Sequence, residues 1–427
     1  MKKTHLLTFL FVILVTLTVF TLSSCYVAQP SNTITGSEIN SKGELIVTYS
    51  DGTKLNLGEV AINQGDMINV TSDASDTAAA TAKGLLSCVR VSATFTKTVT
   101  NPYLPGLSGG NKTEYSSAGA GVIYELDSES GSCFVITNYH VVYDSASDSG
   151  VSGNIMVALY GEQSTGIPAE YVGGSMYYDI AVLRINNCNA LKRSDYAGVD
   201  IATDEAYPGE VAIAIGNPEN YGISASSGIV SVASEYITMT AADEVSSVTQ
   251  RVIRVDTAVN SGNSGGGLFN GRGELVGIVN AKIVDDSVEN IGYAIPASVA
   301  IGVANNIIDN CYGKECETVQ RAMIGITLGV TDSKAEINSE SGRIDVVESV
   351  AVKSVNADSA AYGKLVAGDV LISATLNDKT ISITRDYHII DLMLGARAGD
   401  TLTLVISRSG VEMTVRIDIS ADSISSY

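Results

Sequence analysis

Histidine is scarce in this chain, and its scarcity limits where acid–base chemistry can reside. The 427 residues include three histidines, His5, His140 and His388, and His5 lies in an apolar N-terminal stretch. Histidine is the usual general base near neutral pH, because its unperturbed pKa is about 6.5. A histidine-assisted reaction in the mature chain therefore depends on His140 or His388.

Basic residues are also few, and several common binding motifs are missing. The chain has 26 Lys and Arg against 47 Asp and Glu, a net charge of −21, whereas proteins that bind nucleic acid present basic patches. The sequence has no Gly-x-x-x-x-Gly-Lys loop for nucleotide phosphates, and its six cysteines form no Cys-x-x-Cys pair or Cys/His cluster. We therefore expect no nucleic-acid partner, no metal and no cofactor.

A glycine-rich turn at residues 262–267, Gly-Asn-Ser-Gly-Gly-Gly, is the strongest chemical signal. Ser264 stands in its middle, between apolar stretches typical of β-strands. A serine is a weak nucleophile until a neighbouring base takes its proton, and His140, within the apolar run 134–142, can be that base. Asp179 opens another apolar run, where a carboxylate is costly without a partner. It is therefore the candidate that orients the histidine.

The same turn predicts a site that stabilises negative charge. Gly262 allows a tight turn in which the N–H groups of Gly262 and Ser264 converge on one point. Two such donors stabilise the oxyanion of a tetrahedral intermediate. Each of these residues is unspecific alone, and their combination predicts nucleophilic catalysis.

At this point the chain resembles the HtrA/DegP family of trypsin-like serine proteases that carry a PDZ domain. One departure is Gly267, where the family usually has proline after Gly-Asn-Ser-Gly-Gly. The matching segments follow the family's order over roughly residues 84–310: Thr-Asn-Tyr-His-Val-Val (137–142), Asp-Ile-Ala-Val-Leu (179–183), Ala-Ile-Gly-Asn-Pro (214–218), Ser-Gly-Ile-Val-Ser (227–231), Asp-Thr-Ala-Val-Asn (256–260), Gly-Asn-Ser-Gly-Gly (262–266) and Gly-Tyr-Ala-Ile-Pro (292–296).

The resemblance implies a role for each candidate. His140 is the general base, Asp179 orients it, and Ser264 attacks, while the amides of Gly262 and Ser264 form the oxyanion hole. Substrate-binding positions are implied at Ala258, Ile278, Val279 and Asn280. Because residues 257–259 offer no acidic side chain to a basic substrate residue, we expect cleavage after small or medium aliphatic residues.

The spacing of apolar runs predicts a mainly β fold. Many short Val/Ile-rich runs between Cys88 and Ile295, separated by Gly, Asn and Ser, suggest closed barrels or a sandwich, and the resemblance specifies a trypsin-like double β-barrel followed by a PDZ domain. A stripe of Val299, Val303 and Ile307 predicts a closing helix. The expected boundaries are a signal peptide at 1–25, a Ser/Thr/Asn-rich tether with a hairpin at 26–82, a protease domain at 83–312 and a PDZ domain at 320–421.

The leader and the cysteines predict a location. Lys2 and Lys3, an apolar stretch and Leu-Ser-Ser-Cys at 22–25 are typical of a bacterial lipoprotein signal, with a lipid on Cys25. An uncleaved membrane anchor is the alternative. Either way the catalytic part lies outside the cytoplasm, anchored to the bacterial cell membrane.

Cys311 and Cys316 enclose four residues and can close a small disulfide.

The C-terminal part predicts a peptide-binding module. Ile324, Gly325 and Ile326 resemble the carboxylate-binding loop of PDZ domains, where backbone N–H groups capture a C-terminal carboxylate and the peptide adds as a β-strand. A small domain that only packs on the protease is the alternative. His388 falls in this part of the chain, which makes it a poor candidate for catalysis.

These features together predict an ATP-independent serine endopeptidase that degrades unfolded or damaged envelope proteins. The resemblance further implies a homotrimer whose activity the PDZ domain regulates through C-terminal peptides. Two alternatives remain open: a chaperone or scaffold that binds clients without cutting them, and a processing protease for one membrane-bound regulator.

Overall fold

The computed structural model describes residues 34–39, 44–59, 73–99, 111–162, 166–283, 291–314, 318–339 and 341–426. The chain divides into two compact units, residues 1–70 and 71–427. Among the helices described, none has the length and apolar character needed to span a membrane. The predicted signal peptide with Cys25 and the predicted disulfide partner Cys316 lie outside the described residues.

The N-terminal unit contains a three-stranded antiparallel sheet. Its strands are β1 (Ile34–Ile39), β2 (Glu44–Tyr49) and β3 (Lys54–Glu59), in that order. The turn between β2 and β3 forms at Asp51-Gly52, where Gly52 has φ 83° and the Asp51 carboxylate accepts the Thr53 amide at 2.8 Å. This hairpin follows from the local turn signal, and β1 extends it to a sheet.

A closed six-stranded barrel begins the larger unit. Its strands are β4 (Cys88–Val99), β5 (Asn111–Asp127), β6 (Ser132–Thr137), β7 (Asn154–Leu159), β8 (Ile167–Ser175) and β9 (Ile180–Ile185). They pair in the order β4-β5-β6-β9-β8-β7 and close on themselves, so no edge is left open. Val89, Val91, Ala93 and Phe95 of β4 alternate into a core where none is more than 1% exposed.

A second barrel repeats the same pairing pattern. Its strands are β10 (Val211–Gly216), β11 (Ser224–Thr240), β12 (Ser247–Val255), β13 (Gly267–Phe269), β14 (Leu275–Val279) and β15 (Gly292–Pro296). They close in the order β10-β11-β12-β15-β14-β13. The two barrels therefore share one topology, and the expected mainly β, double-barrel fold is confirmed.

In the described part of the chain, the α-helices that accompany the barrels are α1 (Asp73–Ser87), α2 (Tyr139–Val142) and α3 (Ala297–Cys311). Helix α1 begins within the stretch predicted as tether and packs on the second barrel through Gly84. Helix α3 is the closing helix, and its stripe of Val299, Val303 and Ile307 is buried in a core that lies between the barrels. The barrels are thus held together by apolar burial.

The C-terminal part of the larger unit, described at residues 318–339 and 341–426 and here called the C-terminal domain, is β-rich and has its own apolar core. Its elements are β16 (Gln320–Ala322), β17 (Ile326–Ile337), β18 (Ile344–Val355), β19 (Val370–Leu376), β20 (Lys379–Ser382), α4 (His388–Met393), β21 (Thr401–Arg408), β22 (Val411–Asp418) and β23 (Ile424–Ser426). The main sheet runs β17-β18-β19-β21-β22, so β17 is an edge strand. Leu371, Leu402, Leu404 and Ile406 are among the buried residues that fill its core.

Candidate active site

Strand pairing in the first barrel brings His140 and Asp179 together. β6 and β9 are antiparallel, and Thr137 pairs with Ala181. The chain therefore leaves β6 toward His140 at the point where Asp179 enters β9. The sequence predicted this pairing of a histidine and a carboxylate from two separate apolar runs, and the sheet register provides the physical reason for it.

The carboxylate of Asp179 binds His140 through two hydrogen bonds. The His140 amide donates to Oδ1 at 3.0 Å, and the ring nitrogen Nδ1 lies 2.7 Å from Oδ2. A third donor, Asn280 Nδ2, reaches the same Oδ2 at 2.9 Å. Asp179 is 3% exposed, so these contacts satisfy a buried charge. With Nδ1 engaged as a donor, Nε2 is the nitrogen that can accept a proton.

Ser264 is held against the first barrel by its own backbone. The Ala120 amide donates to the Ser264 carbonyl at 2.8 Å. Gly265 follows with φ 84°, and a Cβ there would lie 2.2 Å from the Ala120 carbonyl oxygen. Only glycine fits this approach, so the turn after the nucleophile docks directly on the barrel that carries His140.

The backbone of Ser264 lies close to the segment that carries His140, although no hydrogen bond among the described residues joins the serine hydroxyl to the His140 ring. A Cβ built on Gly119 would lie 2.7 Å from a Val141 methyl and 2.9 Å from the Ser264 carbonyl oxygen. Ser264 Oγ instead accepts the Ala281 amide at 3.2 Å. Nucleophile–base contacts are often loose without substrate and tighten in the complex.

The predicted oxyanion donors have no competing acceptor. Gly262 has φ 93°, and in the described residues neither its amide nor that of Ser264 donates a hydrogen bond to another group. The Asn217 amide donates a hydrogen bond to the Gly262 carbonyl oxygen at 3.2 Å and so fixes this carbonyl. Two unengaged N–H groups beside a serine hydroxyl can stabilise a developing negative charge.

The residues predicted to bind substrate occupy different environments. Ala258 is exposed, and its carbonyl accepts the Ser226 hydroxyl at 2.8 Å. Ile278 and Val279 are at most 1% exposed and pack into the barrel cores. Asn280 is fully buried and turns its amide to Asp179, which is a role that the sequence did not indicate.

Asp256, the acidic residue nearest the predicted specificity pocket, is engaged elsewhere. Its carboxylate accepts the Ile229 amide at 2.6 Å. A Cβ built on Gly228 would lie 2.3 Å from the same carboxylate. The side chain therefore caps the β11 backbone and is not directed toward a basic substrate residue.

The remaining sequence candidates lie away from Ser264. His388 opens α4, and its Nε2 is 3.2 Å from Glu205 Oε1 in the connection that precedes β10. Gly325 has φ 76° in the loop before β17, and a Cβ there would meet the Ser359 side chain at 2.2 Å. Cys311 is buried at the end of α3.

The chain is similar to known serine proteases. Residues 119–278 match the model of the trypsin-like peptidase domain. The chain is 31% identical to the serine protease Do-like HtrA of Bacillus subtilis over 329 residues, covering 75% of this chain and 67% of that protein. It is 30% identical to the Lactococcus lactis subsp. cremoris protein of the same name, covering 73% of each. It is also 30% identical to the periplasmic serine endoprotease DegP of Escherichia coli, covering 74% of this chain and 60% of that protein.

Proposed function

This chain belongs to the HtrA family of serine proteases, and on that premise we propose that it degrades unfolded or damaged envelope proteins through His140, Asp179 and Ser264. It is a serine endopeptidase of trypsin-like fold. The observation that carries the residue assignment is the contact between His140 Nδ1 and Asp179 Oδ2 at 2.7 Å, beside a serine docked on the same barrel. An extracytoplasmic location is supported by the leader and by the periplasmic relative.

The proposed reaction follows from what each group can donate or accept. His140 Nε2 takes the Ser264 hydroxyl proton as the serine oxygen attacks the scissile carbonyl carbon. The amides of Gly262 and Ser264 donate to the resulting oxyanion, and loss of one such donor typically costs ~10²–10³ in rate. The imidazolium, stabilised by Asp179, then protonates the leaving amine, and water hydrolyses the acyl-enzyme by the same sequence.

The C-terminal domain is proposed to be a PDZ module that binds peptide C-termini. Support comes from the φ of 76° at Gly325, a left-handed conformation that favours glycine in the loop at residues 324–326. β17, which follows this loop, pairs only with β18 among the described strands, so its other edge can accept a peptide strand. We further propose regulation of the protease by this module, a homotrimer, a lipid anchor at Cys25, and a Cys311–Cys316 disulfide.

The first test compares the parent protein with Ser264→Ala. Residues 26–427 of each are incubated with reduced casein, and Ser130→Ala, in a distant turn of the first barrel, is the control serine substitution. We expect the parent and the control to cut. Ser264→Ala should lose ~10⁶ of the turnover, because removal of the nucleophile disables the whole triad.

Each outcome has a distinct meaning. Equal cutting by the parent and Ser264→Ala would overturn the assignment of the nucleophile. If none of the three cuts casein, labelling with a fluorophosphonate probe decides. Labelling that Ser264→Ala abolishes would support a narrow processing protease, whereas no labelling of the parent would favour a chaperone or scaffold.

A further inference from the structure

Asn138 is a buried amide that contacts the backbone of the triad carboxylate. It follows β6 directly and is fully buried. Its Nδ2 donates to the Asp179 carbonyl oxygen at 2.8 Å, and the Tyr139 amide donates to the same oxygen at 3.2 Å. Asn138 therefore fixes the peptide group of Asp179, while His140 and Asn280 bind the Asp179 carboxylate.

The Asp179 backbone needs this support, because it adopts a strained conformation. Its φ is 51°, in the left-handed region that residues other than glycine rarely occupy. Such residues persist where the surrounding structure over-determines them, and they cluster at functional sites. At this φ the side chain turns back toward His140, so the conformation that costs energy is the one that directs the carboxylate.

Burial of the side-chain amide of Asn138 carries a free-energy cost. Its Oδ1 is buried and has no hydrogen-bond partner among the described residues. A smaller or apolar side chain would avoid that penalty. Space filling alone therefore does not account for an asparagine here, whereas the need for an N–H donor does.

Thr137 and Asn138 also lie against the turn that carries the nucleophile. Thr137 Oγ1 donates to the Ala120 carbonyl at 2.7 Å, and the Ala120 amide donates to the Ser264 carbonyl at 2.8 Å. A Cβ built on Gly265 would lie 3.0 Å from the backbone nitrogen of Asn138. Thr137 and Asn138 thus lie between Asp179 and the turn that carries Ser264. A shift of Asp179 or of that turn is therefore transmitted to this dipeptide.

We propose that Asn138 is a positioning residue, whose side-chain N–H holds Asp179 in its left-handed conformation and so directs the carboxylate onto His140. The proposal rests on the catalytic roles assigned above. It predicts that Asn138 acts on turnover through Asp179, not through substrate binding, because its hydrogen bonds among the described residues join it to the Asp179 carbonyl and the Val141 amide.

The test is a kinetic comparison of Asn138→Ala with the parent on an activated peptide ester. We expect kcat to fall ~10–100-fold and KM to stay within about twofold. Asn270→Ala is the matched control, because Asn270 is equally buried but caps a turn in the second barrel. It should leave both constants unchanged. If Asn138→Ala melts below the assay temperature, Asn138→Ser replaces it. Serine keeps a polar group, but its side chain is too short to reach the Asp179 carbonyl oxygen.

A double-mutant cycle with Asp179→Ala separates positioning from general scaffolding. In the Asp179→Ala background, Asn138→Ala should cause no further loss of kcat, because the group it positions is gone. An equal loss in both backgrounds, or a change in KM alone, would overturn the proposal. If Asp179→Ala itself retains full activity, the catalytic assignment fails instead, so the two failures are distinguishable.

Discussion

At the scale of single residues, the role of Asp179 can be tested without changing its shape. Asp179→Asn should lower kcat by ~10⁴, because an amide at this position no longer stabilises the protonated ring and favours the wrong tautomer of His140. KM on a short peptide ester should change little. The control is Asp256→Asn, which alters a carboxylate that accepts the Ile229 amide.

A loss in Asp179→Asn of tenfold or less would mean that the carboxylate is dispensable to proton transfer. It would point to another acceptor for His140 Nδ1. Thermal melting of both variants must show that the fold persists, since Asp179 also accepts the Asn280 amide and its loss leaves that buried donor to find another partner.

The residues of the candidate triad could be chosen from the sequence because the choice was small. Two histidines lie outside the apolar N-terminal stretch, and one serine stands in the Gly-Asn-Ser-Gly-Gly turn. Several carboxylates open apolar runs, and the family resemblance singled out Asp179 among them. The supporting asparagines were not recognisable. Asn280 is 101 residues from Asp179 in the chain, and Asn138 differs from a surface asparagine only by burial, which depends on the closed barrel.

At the scale of elements, strands were predictable where apolar residues run together and not where they are interrupted. β6, β9 and β10 lie in such runs, and β4 shows a regular alternation of apolar and polar residues. β8 carries Pro168 and two glycines, and it pairs with β7 and β9. Its place in the barrel is fixed by its neighbours, so local pattern gave little indication of it.

Substitution of Gly84 in helix α1 has two effects of opposite sign on the free energy of unfolding. Gly84→Leu replaces a poor helix former, and propensity alone would stabilise the helix by about 0.5–1 kcal/mol. A Cβ at this position would lie 2.6 Å from an Ile215 methyl and 3.2 Å from the Phe269 ring. Because this contact leaves no room for a side chain, overpacking should prevail and lower the free energy of unfolding by about 1–3 kcal/mol.

Chemical denaturation of Gly84→Leu and of Ala79→Leu measures the balance. Ala79 is on the exposed face of the same helix, so its substitution should be nearly neutral. If Gly84→Leu is more stable than the parent, helix α1 does not dock on the second barrel as described. Equal destabilisation by both variants would instead indicate a general intolerance of leucine in this helix.

At the scale of the whole molecule, a buried ion pair joins the C-terminal domain to the second barrel. Arg251 on β12 donates to Asp391 on α4 and to the Ser298 hydroxyl, and its guanidinium lies 3.9 Å from the centroid of the Tyr387 ring. Tyr387 donates in turn to Glu205 at 2.7 Å. These contacts attach the helix of the smaller domain to the barrel that carries Ser264.

The energetics of this pair predict opposite outcomes for single and double substitutions. Burial raises the pKa of Asp391, although Arg251 and Ser298 oppose the shift. Since the folded pKa is the higher one, stabilisation by this carboxyl is complete below its unfolded pKa and is lost as pH rises through the folded value. Desolvation offsets most of the attraction within such a pair, so the pair adds little net stability, yet removal of one partner leaves the other buried and uncompensated.

Asp391→Ala should therefore destabilise the protein by about 3–5 kcal/mol at pH 7, whereas Arg251→Met combined with Asp391→Leu should be neutral or stabilising. Thermal unfolding reports the first effect. Limited proteolysis between the domains reports whether the C-terminal domain has detached, with Arg397→Ala, which removes an exposed bridge to Asp309 on α3, as the mild control. A double variant as unstable as Asp391→Ala would show that the charge pair itself, not the packing around it, holds the domain in place.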